Sequence, residues 1–222
     1  MSWESSIKGF KSYLQIERSL SDNSVQAYIR DIKKFANYAI PLKLNELKIQ
    51  RENISDFLAE LKDDGIAARS QARIISGIKA FYKYLIIEDY IKHDPTELIE
   101  SPKVGFKLPD TLSLIEIDKL ISAVDLSNKQ GERNRAILET LYSCGLRVSE
   151  LTNLKLSNIY FNEGYLKVIG KGDKERLAPI GGRALKYLTT YINEVRNHQT
   201  IKKGQEDFVF LNNRAAGLTR VM

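Results

Sequence analysis

Cysteine is almost absent from this chain of 222 residues, which has one, Cys144. A single cysteine excludes an internal disulfide framework and a zinc site built on cysteines. The N-terminus has no basic segment leading into an apolar stretch, and no apolar run approaches the roughly 18 residues that a membrane helix needs. Secreted, membrane and fibrous classes are therefore set aside, and we expect a cytoplasmic protein without a membrane partner.

Several common catalytic signatures are missing as well. The sequence contains no P-loop, no G-x-G-x-x-G and no G-x-S-x-G pattern. Its two histidines, His93 and His198, have no other His, Cys or paired carboxylate at a metal-ligand spacing. We therefore expect no metal site. Cys144 follows an apolar helical segment and has no histidine near it in sequence, so a buried structural thiol is expected rather than a nucleophile.

The charge balance is basic and uneven. Lys and Arg number 34 and Asp and Glu 28, which gives a net charge of +6. Residues 1–105 carry 16 basic and 15 acidic side chains, whereas residues 106–222 carry 18 and 13. This modest excess fits a nucleic-acid partner, but many proteins carry as much charge for solubility.

The first ninety residues contain four segments in which apolar residues recur at spacings of three and four, the period of an amphipathic helix. Ser21 or Asp22 is expected to cap the second segment, because a short side-chain oxygen accepts a hydrogen bond from a first-turn N–H. We predict a compact N-terminal bundle of four helices over residues 1–90. The four apolar stripes are Ile7, Phe10, Leu14; Val25, Ile29, Ile32, Phe35; Ile54, Phe57, Leu58, Leu61; and Ile74, Ile78, Phe81, Leu85.

Residues 91–109 are predicted to be an interdomain linker. Pro95, Pro102 and Pro109 fall within 15 residues of one another. Prolines at that density oppose both helices and central strands, because proline lacks an N–H donor and has a fixed φ. The chain beyond this segment, residues 110–222, is then a second domain.

The second domain is predicted to combine helices with a β-hairpin. Ser113 and Glu116 have the spacing of a capping box, and Gly145 is expected to end the next helix. The fold class is therefore mainly α with a small β-hairpin or sheet (α+β). The further predicted elements are a helix beginning within Leu146–Leu154, strands Tyr165–Ile169 and Arg176–Ile180 joined by a turn at Gly170–Lys174, a helix Arg183–Val195, a short strand Phe208–Leu211 and a helix start at Leu218–Met222.

Arg147 and Glu150 form the first candidate site. Arg147 follows the break at Gly145 and lies near a helix start, where free N–H groups attract anions. Its guanidinium suits a phosphate, and Glu150, three residues on, can hold it in place. The alternative is an ordinary surface ion pair, which spacing alone favours because such pairs are common.

The hairpin turn is the second candidate. Lys171, Lys174 and Arg176 lie in or beside it, and the glycines flanking Lys171 let a partner's backbone approach. A lysine there can reach a DNA groove or protonate a leaving-group oxygen. The alternative is a solvated turn of ordinary composition.

A basic face on the fourth helix is the third candidate. It carries Arg69, Arg73, Lys79 and Lys83, with tyrosines among them. Such a face can lie along a phosphate backbone. The alternative, a solvated helix face with buried tyrosines, is equally compatible with the pattern.

Taken together, these segments resemble the tyrosine site-specific recombinases of the phage-integrase family, and among them the Xer type that resolves chromosome dimers. The resemblance extends over essentially the whole chain. Its specific pieces are Tyr142–Leu151 (YSCGLRVSEL) and Val168–Ile180 (VIGKGDKERLAPI), in this order; Ser21–Tyr28, Ile78–Leu85 and Lys107–Pro109 support them. The resemblance implies a SAM-like core-binding bundle followed by part of a catalytic domain.

The resemblance also implies a mechanism. In this family a tyrosine attacks the scissile DNA phosphate and forms a 3′-phosphotyrosyl link, without metal, nucleotide or other cofactor. Arg147 matches the first of two arginines that hold the phosphate, Lys171 matches the lysine that protonates the departing 5′-oxygen, and Glu150 is a supporting residue. Implied partners are double-stranded DNA in the nucleoid and other recombinase subunits, in a tetramer on two sites when complete.

The sequence departs from the family pattern in one respect. It contains no His-x-x-Arg, and its eleven tyrosines all precede the position expected for the nucleophile. We therefore expect a recombinase whose catalytic domain lacks its last part. Three alternatives follow: a fragment of an active recombinase; a cleavage-incompetent DNA-binding protein that interferes with or assists a full-length relative; or a helical adaptor for protein partners, which has no need of Arg147 and Lys171.

Overall fold

The computed structural model describes residues 2–105 and 108–220, and the chain divides into two compact units, Met1–Leu108 and Pro109–Met222. Each unit has its own hydrophobic core. The first is helical, and the second combines helices with a three-stranded antiparallel sheet. The predicted mainly α class with a small β element is confirmed. Within the described residues, no helix has the length and apolar character needed to cross a membrane.

The first unit is a bundle of four helices packed around aromatic side chains. The predicted stripes supply this core, and Phe10, Phe35 and Phe81 are fully buried. Trp3 adds to it: its ring stacks on Phe81, and its Nε1 donates a hydrogen bond to the carbonyl of Leu44 at 3.0 Å. The helices are α1 (Trp3–Ile16), α2 (Asp22–Ala39), α3 (Arg51–Asp63) and α4 (Ala68–Ile87).

The cap predicted for α2 is wrong in its chemistry. Ser21 occupies the position before the helix, but its side chain makes no hydrogen bond to the backbone of the first turn. Its hydroxyl lies 3.0 Å from the hydroxyl of Ser24 instead. Asp22 is already the first helical residue. The Ser21 hydroxyl therefore pairs with the Ser24 side chain and not with a backbone N–H of the first turn.

The segment predicted as a linker, residues 91–109, begins by packing on the bundle. Thr96 and Ile99 are buried, and Ile99 belongs to the hydrophobic core of the first unit. Asp94 holds this turn, because its Oδ1 accepts hydrogen bonds from the backbone N–H and the hydroxyl of Thr96. Proline prevents a regular helix here but does not prevent burial. Lys107 lies outside the described residues.

The second unit places a sheet and two long helices around one core. The strands β1 (Ile159–Tyr160), β2 (Tyr165–Ile169) and β3 (Glu175–Pro179) pair in that order, all antiparallel. The predicted capping box of Ser113 and Glu116 and the left-handed Gly145 (φ 57°) are both confirmed. The helices are α5 (Leu114–Ser122), α6 (Gly131–Cys144), the short α7 (Val148–Thr152) and α8 (Gly182–Glu194).

The strand predicted at Phe208–Leu211 is wrong. Val209, Phe210 and Leu211 are buried and Phe208 is half-buried, but the segment makes only isolated bridges, Lys155 with Phe208 and Leu211 with Gly217. Its backbone groups are satisfied by loops and by a side chain, since Leu211 donates its N–H to the Tyr191 hydroxyl. An apolar run can thus be buried without a strand beside it. The helix start predicted at Leu218 is also not found over residues 218–220; Val221 and Met222 lie outside the described residues.

Gly77 permits the close approach of α2 and α4. A Cβ at this position would lie 2.8 Å from the Cβ of Asp31, a distance at which one of the two helices must move. We expect Gly77→Ala to destabilise the first unit by about 1–3 kcal/mol, although alanine favours helices, because overpacking outweighs propensity. Urea unfolding followed by the fluorescence of Trp3, the one tryptophan, measures this unit.

Ser76→Ala is the matched control for Gly77→Ala, because Ser76 is the preceding residue and is exposed. Its unfolding midpoint should stay the same or rise slightly. An unchanged or higher midpoint for Gly77→Ala would show that the two helices do not meet at this glycine.

Candidate active site and nucleic-acid interface

The centre of the candidate site is the carboxylate of Glu150. Gly145 ends α6 in a left-handed conformation, and the chain then turns so that Arg147 stands immediately before α7. Glu150 Oε2 accepts a hydrogen bond from the backbone N–H of Arg147 at 2.8 Å, and its Oε1 accepts one from the Arg147 guanidinium at 2.7 Å. One carboxylate therefore fixes both the backbone and the side chain of Arg147.

A second arginine reaches the same carboxylate from the sheet. Arg176, on β3, donates from its Nη2 to Glu150 Oε2 at 2.8 Å. From the sequence, Arg176 is predicted only as a basic residue beside the hairpin turn, without a contact to Glu150. No local signal reveals this contact, because the two residues are 26 positions apart. The structure thus brings Arg147, Glu150 and Arg176 into one cluster.

The electrostatics of this cluster favour an anion. The side chain of Glu150 is 3% exposed, whereas those of Arg147 and Arg176 are 72% and 39% exposed. Burial alone would raise the pKa of Glu150, but the hydrogen bonds from Arg147 and the charge of Arg176 outweigh it and hold that pKa below its ordinary value. The ionised carboxylate therefore holds two guanidiniums, and the cluster keeps one net positive charge at the surface.

The predicted hairpin passes directly beside Glu150. The backbone N–H of Gly170 donates to the carbonyl of Lys174 at 2.8 Å and closes the turn. A Cβ on Gly170 would lie 3.4 Å from Glu150 Oε1, so the turn starts next to the carboxylate. Lys174 is exposed. Lys171 follows Gly170 in the chain, but its side chain lies outside what the structure describes.

The basic face predicted on α4 is present, and the tyrosines are not part of it. Arg69 and Lys83 are exposed, and Lys79 is half-buried. Arg73 is half-exposed and bonds to the buried carboxylate of Asp31 on α2, which offsets its charge. The tyrosines of this helix, Tyr82 and Tyr84, belong to the core.

Helix α2 also contributes to this basic surface, which was not predicted from the sequence. Arg30, Lys33 and Lys34 line, with Arg73, a cavity of about 570 Å³ between α2 and the start of α4. Their spacing of three and four places them on one side of a helix, and that spacing is readable in the sequence. The first unit therefore presents cations from two helices rather than from one.

The remaining candidate groups are unremarkable. Cys144 is buried, and burial raises the pKa of its thiol, so it is a neutral side chain at physiological pH. His93 and His198 are exposed. Among residues 2–105 and 108–220, no group of three or more His, Cys, Asp and Glu side chains is arranged to hold a metal ion.

Comparisons with known sequences match both units. Residues 7–89 match the phage integrase N-terminal SAM-like domain, and residues 111–221 match the phage integrase family. The chain is 42% identical over 218 residues to the tyrosine recombinase XerD of Staphylococcus haemolyticus (strain JCSC1435). The matched residues cover 98% of this chain and 74% of that protein. The XerD of Staphylococcus aureus (strain Mu50) matches with the same identity and coverage.

Solved structures share the fold at low sequence identity. A lambda integrase dimer bound to a COC′ core site matches with a TM-score of 0.75 and 21% identity, over 99% of this chain and 60% of that one. XerH bound to a palindromic difH substrate matches with a TM-score of 0.73 and 19% identity, over 96% and 63% of the two chains.

The ion pairs of Glu150 are expected to make the stability of the second unit depend on pH. Because the folded pKa of Glu150 lies below its ordinary value of 4.5, its ion pairs stabilise the fold above that value and are lost as the pH falls through the folded pKa. Removing either guanidinium should therefore raise the pKa of Glu150. A carbon-13 NMR titration of glutamate carboxyls, with the Glu150 signal assigned from Glu150→Gln, measures this for Arg147→Leu and Arg176→Leu.

The matched control for that titration is Arg183→Leu. Arg183 pairs with another buried glutamate, Glu139, at 2.6 Å, and this variant should leave the pKa of Glu150 unchanged. If Arg147→Leu and Arg176→Leu also leave it unchanged, the carboxylate does not hold the two arginines in solution.

Proposed function

Because this chain belongs to the phage integrase family of tyrosine recombinases, we propose that it acts in site-specific DNA recombination, in which strands are cut and rejoined through a 3′-phosphotyrosyl intermediate. The observation that carries the proposal is the ion-paired cluster of Arg147, Glu150 and Arg176 beside the hairpin. It presents an oriented guanidinium and a net positive charge at the surface. Duplex DNA, whose backbone is a chain of phosphates, is the substrate proposed for it.

Arg147 is assigned to the scissile phosphate. Nη1 of the Arg147 guanidinium donates to Glu150, while the Arg147 side chain is 72% exposed. A planar guanidinium can donate two parallel hydrogen bonds to phosphate oxygens, and a cation fixed in advance stabilises the charge that develops in the transition state. Glu150 is then a positioning residue, which acts by holding Arg147 rather than by touching the phosphate.

Lys171 is assigned to the leaving group. As the tyrosine oxygen bonds to phosphorus, the bond from phosphorus to the 5′-oxygen breaks, and that oxygen needs a proton. Lys171 follows Gly170 in the chain, and Gly170 lies against Glu150, the residue that holds Arg147; this adjacency supports the assignment. Lys174 and Arg176 are proposed as further DNA contacts of this unit, with Arg176 also committed to Glu150.

The first unit is proposed to bind the DNA backbone with Arg69, Arg73, Lys79 and Lys83. The exposed Arg69 and Lys83 are expected to contribute more than Arg73, because Asp31 offsets the charge of Arg73. Other recombinase subunits are the proposed protein partners, supported by the lambda integrase structures described as a dimer on a core site and a tetramer on a Holliday junction. Chromosome dimer resolution and integration both remain compatible with these residues, and the nucleoid is the proposed location.

The alternative is a protein that binds DNA without cutting it and interferes with or assists a full-length relative. The observation that favours it is the burial of tyrosines in the two hydrophobic cores, such as Tyr82, Tyr84 and Tyr191, which keeps these hydroxyls away from a DNA phosphate. Both candidates need DNA binding, and they differ in strand cleavage. Two experiments therefore test them in turn.

Salt dependence tests DNA binding. We expect the chain to bind a mixed-sequence duplex with an affinity that falls steeply as salt rises, because bound cations release counterions from DNA. Arg69→Gln and Lys83→Gln should each reduce the slope of log K against log salt by about 1. Lys92→Gln, an exposed lysine that lines a different cavity, is the control and should leave the slope unchanged. A flat salt response, or no binding to any duplex, would contradict both DNA-binding candidates.

A nicked duplex tests cleavage. We expect the 222-residue polypeptide alone to form no covalent adduct with a labelled strand on a denaturing gel, since the family's His-x-x-Arg and the tyrosine beyond it are not among its residues. A full-length XerD-like recombinase on its own site is the positive control. A phosphotyrosyl adduct with the 222-residue polypeptide would rule out the cleavage-incompetent alternative and identify one of its tyrosines as the nucleophile.

A further inference from the structure

The second unit contains a polar cavity that shares no lining residue with the cluster of Arg147, Glu150 and Arg176. It has a volume of about 650 Å³ and lies where the start of α6 meets the loop 212–215 and the chain that follows α8. Lys129, Arg133 and Arg214 line it, and most of the other lining side chains are neutral amides or hydroxyls. Within the described part of the chain, the lining includes no carboxylate.

Arg133 is the unusual member of this lining. It is 5% exposed, and its guanidinium donates to neutral oxygens: the carbonyl of Leu211 at 2.9 Å, the side-chain oxygen of Asn134 at 3.0 Å and the side-chain oxygen of Gln130. No carboxylate of the described residues lies within ion-pair distance of it. A buried charge is costly unless an opposite charge or a full set of hydrogen bonds compensates it. Burial accordingly lowers the pKa of Arg133.

The other buried charges of this unit are compensated differently. The buried carboxylates of Glu139 and Glu150 each face an arginine. Arg196 is enclosed by the carbonyls of Glu206 and Phe208, and the carboxylate of Asp207 lies near enough to favour its charge. Arg133 differs from all three because no carboxylate of the described residues compensates its charge, and it borders an open cavity. An anion entering that cavity would supply the missing charge.

We propose that this cavity binds a small anion with two or more linked phosphate groups, with Arg133 at its base and the exposed Lys129 and Arg214 at its mouth. Three cations without a carboxylate match a multiply charged ligand better than a single carboxylate. The volume exceeds what one phosphate fills. No aromatic ring lines the cavity among the described residues, so nothing is available to stack a nucleobase, and recognition is confined to the phosphates.

Pyrophosphate is the probe that tests this proposal, in isothermal titration calorimetry with the full chain. We expect saturable one-to-one binding, weaker for orthophosphate. Lys129→Gln and Arg214→Gln should each weaken pyrophosphate binding by at least about fivefold, because each removes a charge-assisted hydrogen bond. Both residues are exposed, so these variants should fold. Lys186→Gln, on the exposed side of α8, is the control and should leave the affinity unchanged.

A second measurement locates the binding. Amide shifts in a nitrogen-15 NMR titration with pyrophosphate should concentrate at residues 129–133 and 212–215. ATP that competes with pyrophosphate would support the phosphate tail of a nucleotide as the ligand, and ATP that does not compete would support a free oligophosphate.

Three results would overturn the proposal. They are the absence of binding at millimolar pyrophosphate, binding that Arg147→Gln abolishes while Lys129→Gln and Arg214→Gln do not affect it, and shifts at residues 129–133 and 212–215 that appear with duplex DNA but not with pyrophosphate. The proposal does not rest on the recombination function. It stands or falls independently of strand cleavage and of the salt dependence of DNA binding.

Discussion

The buried carboxylate of Glu150 is the contact on which the arrangement of the second unit's site depends. It accepts hydrogen bonds from the backbone and the guanidinium of Arg147, and from Arg176 on the neighbouring strand. A short helix of five residues has little stability of its own. The carboxylate joins that helix to the sheet, and it does so because two cations compensate the cost of burying it. The orientation of Arg147 is therefore a property of the sheet as well as of its own helix.

In the first unit, the packed helices support a basic surface. Its aromatic core leaves one side of α4 exposed, and the buried Asp31 ties that helix to α2 through Arg73. Gly77 allows the two helices to come close enough for this contact. The Arg73–Asp31 ion pair neutralises the charge of Arg73. The rest of the surface, with Arg69 and Lys83 on α4 and three cations on α2, stays available to phosphates.

The two cation clusters of the second unit differ in how their positive charge is compensated. Around Glu150, the paired carboxylate leaves one net positive charge at the surface, which suits the transient charge of a phosphate undergoing attack. Around Arg133, no carboxylate of the described residues is present, and neutral oxygens hold the guanidinium at the edge of a cavity. The first arrangement fits chemistry on an extended polyanion, and the second fits a small ligand that enters and remains bound.

The sequence by itself determined the helices, the hairpin and the pairing of Arg147 with Glu150, because these depend on local periodicity, turn residues and a spacing of three. It did not determine which distant groups meet. The Arg176–Glu150 and Arg73–Asp31 contacts join segments far apart in the chain, and so do the burial of Val209–Leu211 without a strand and the cavity at Arg133. Only the tertiary structure decided them, because burial and charge compensation are set by packing between elements rather than within one.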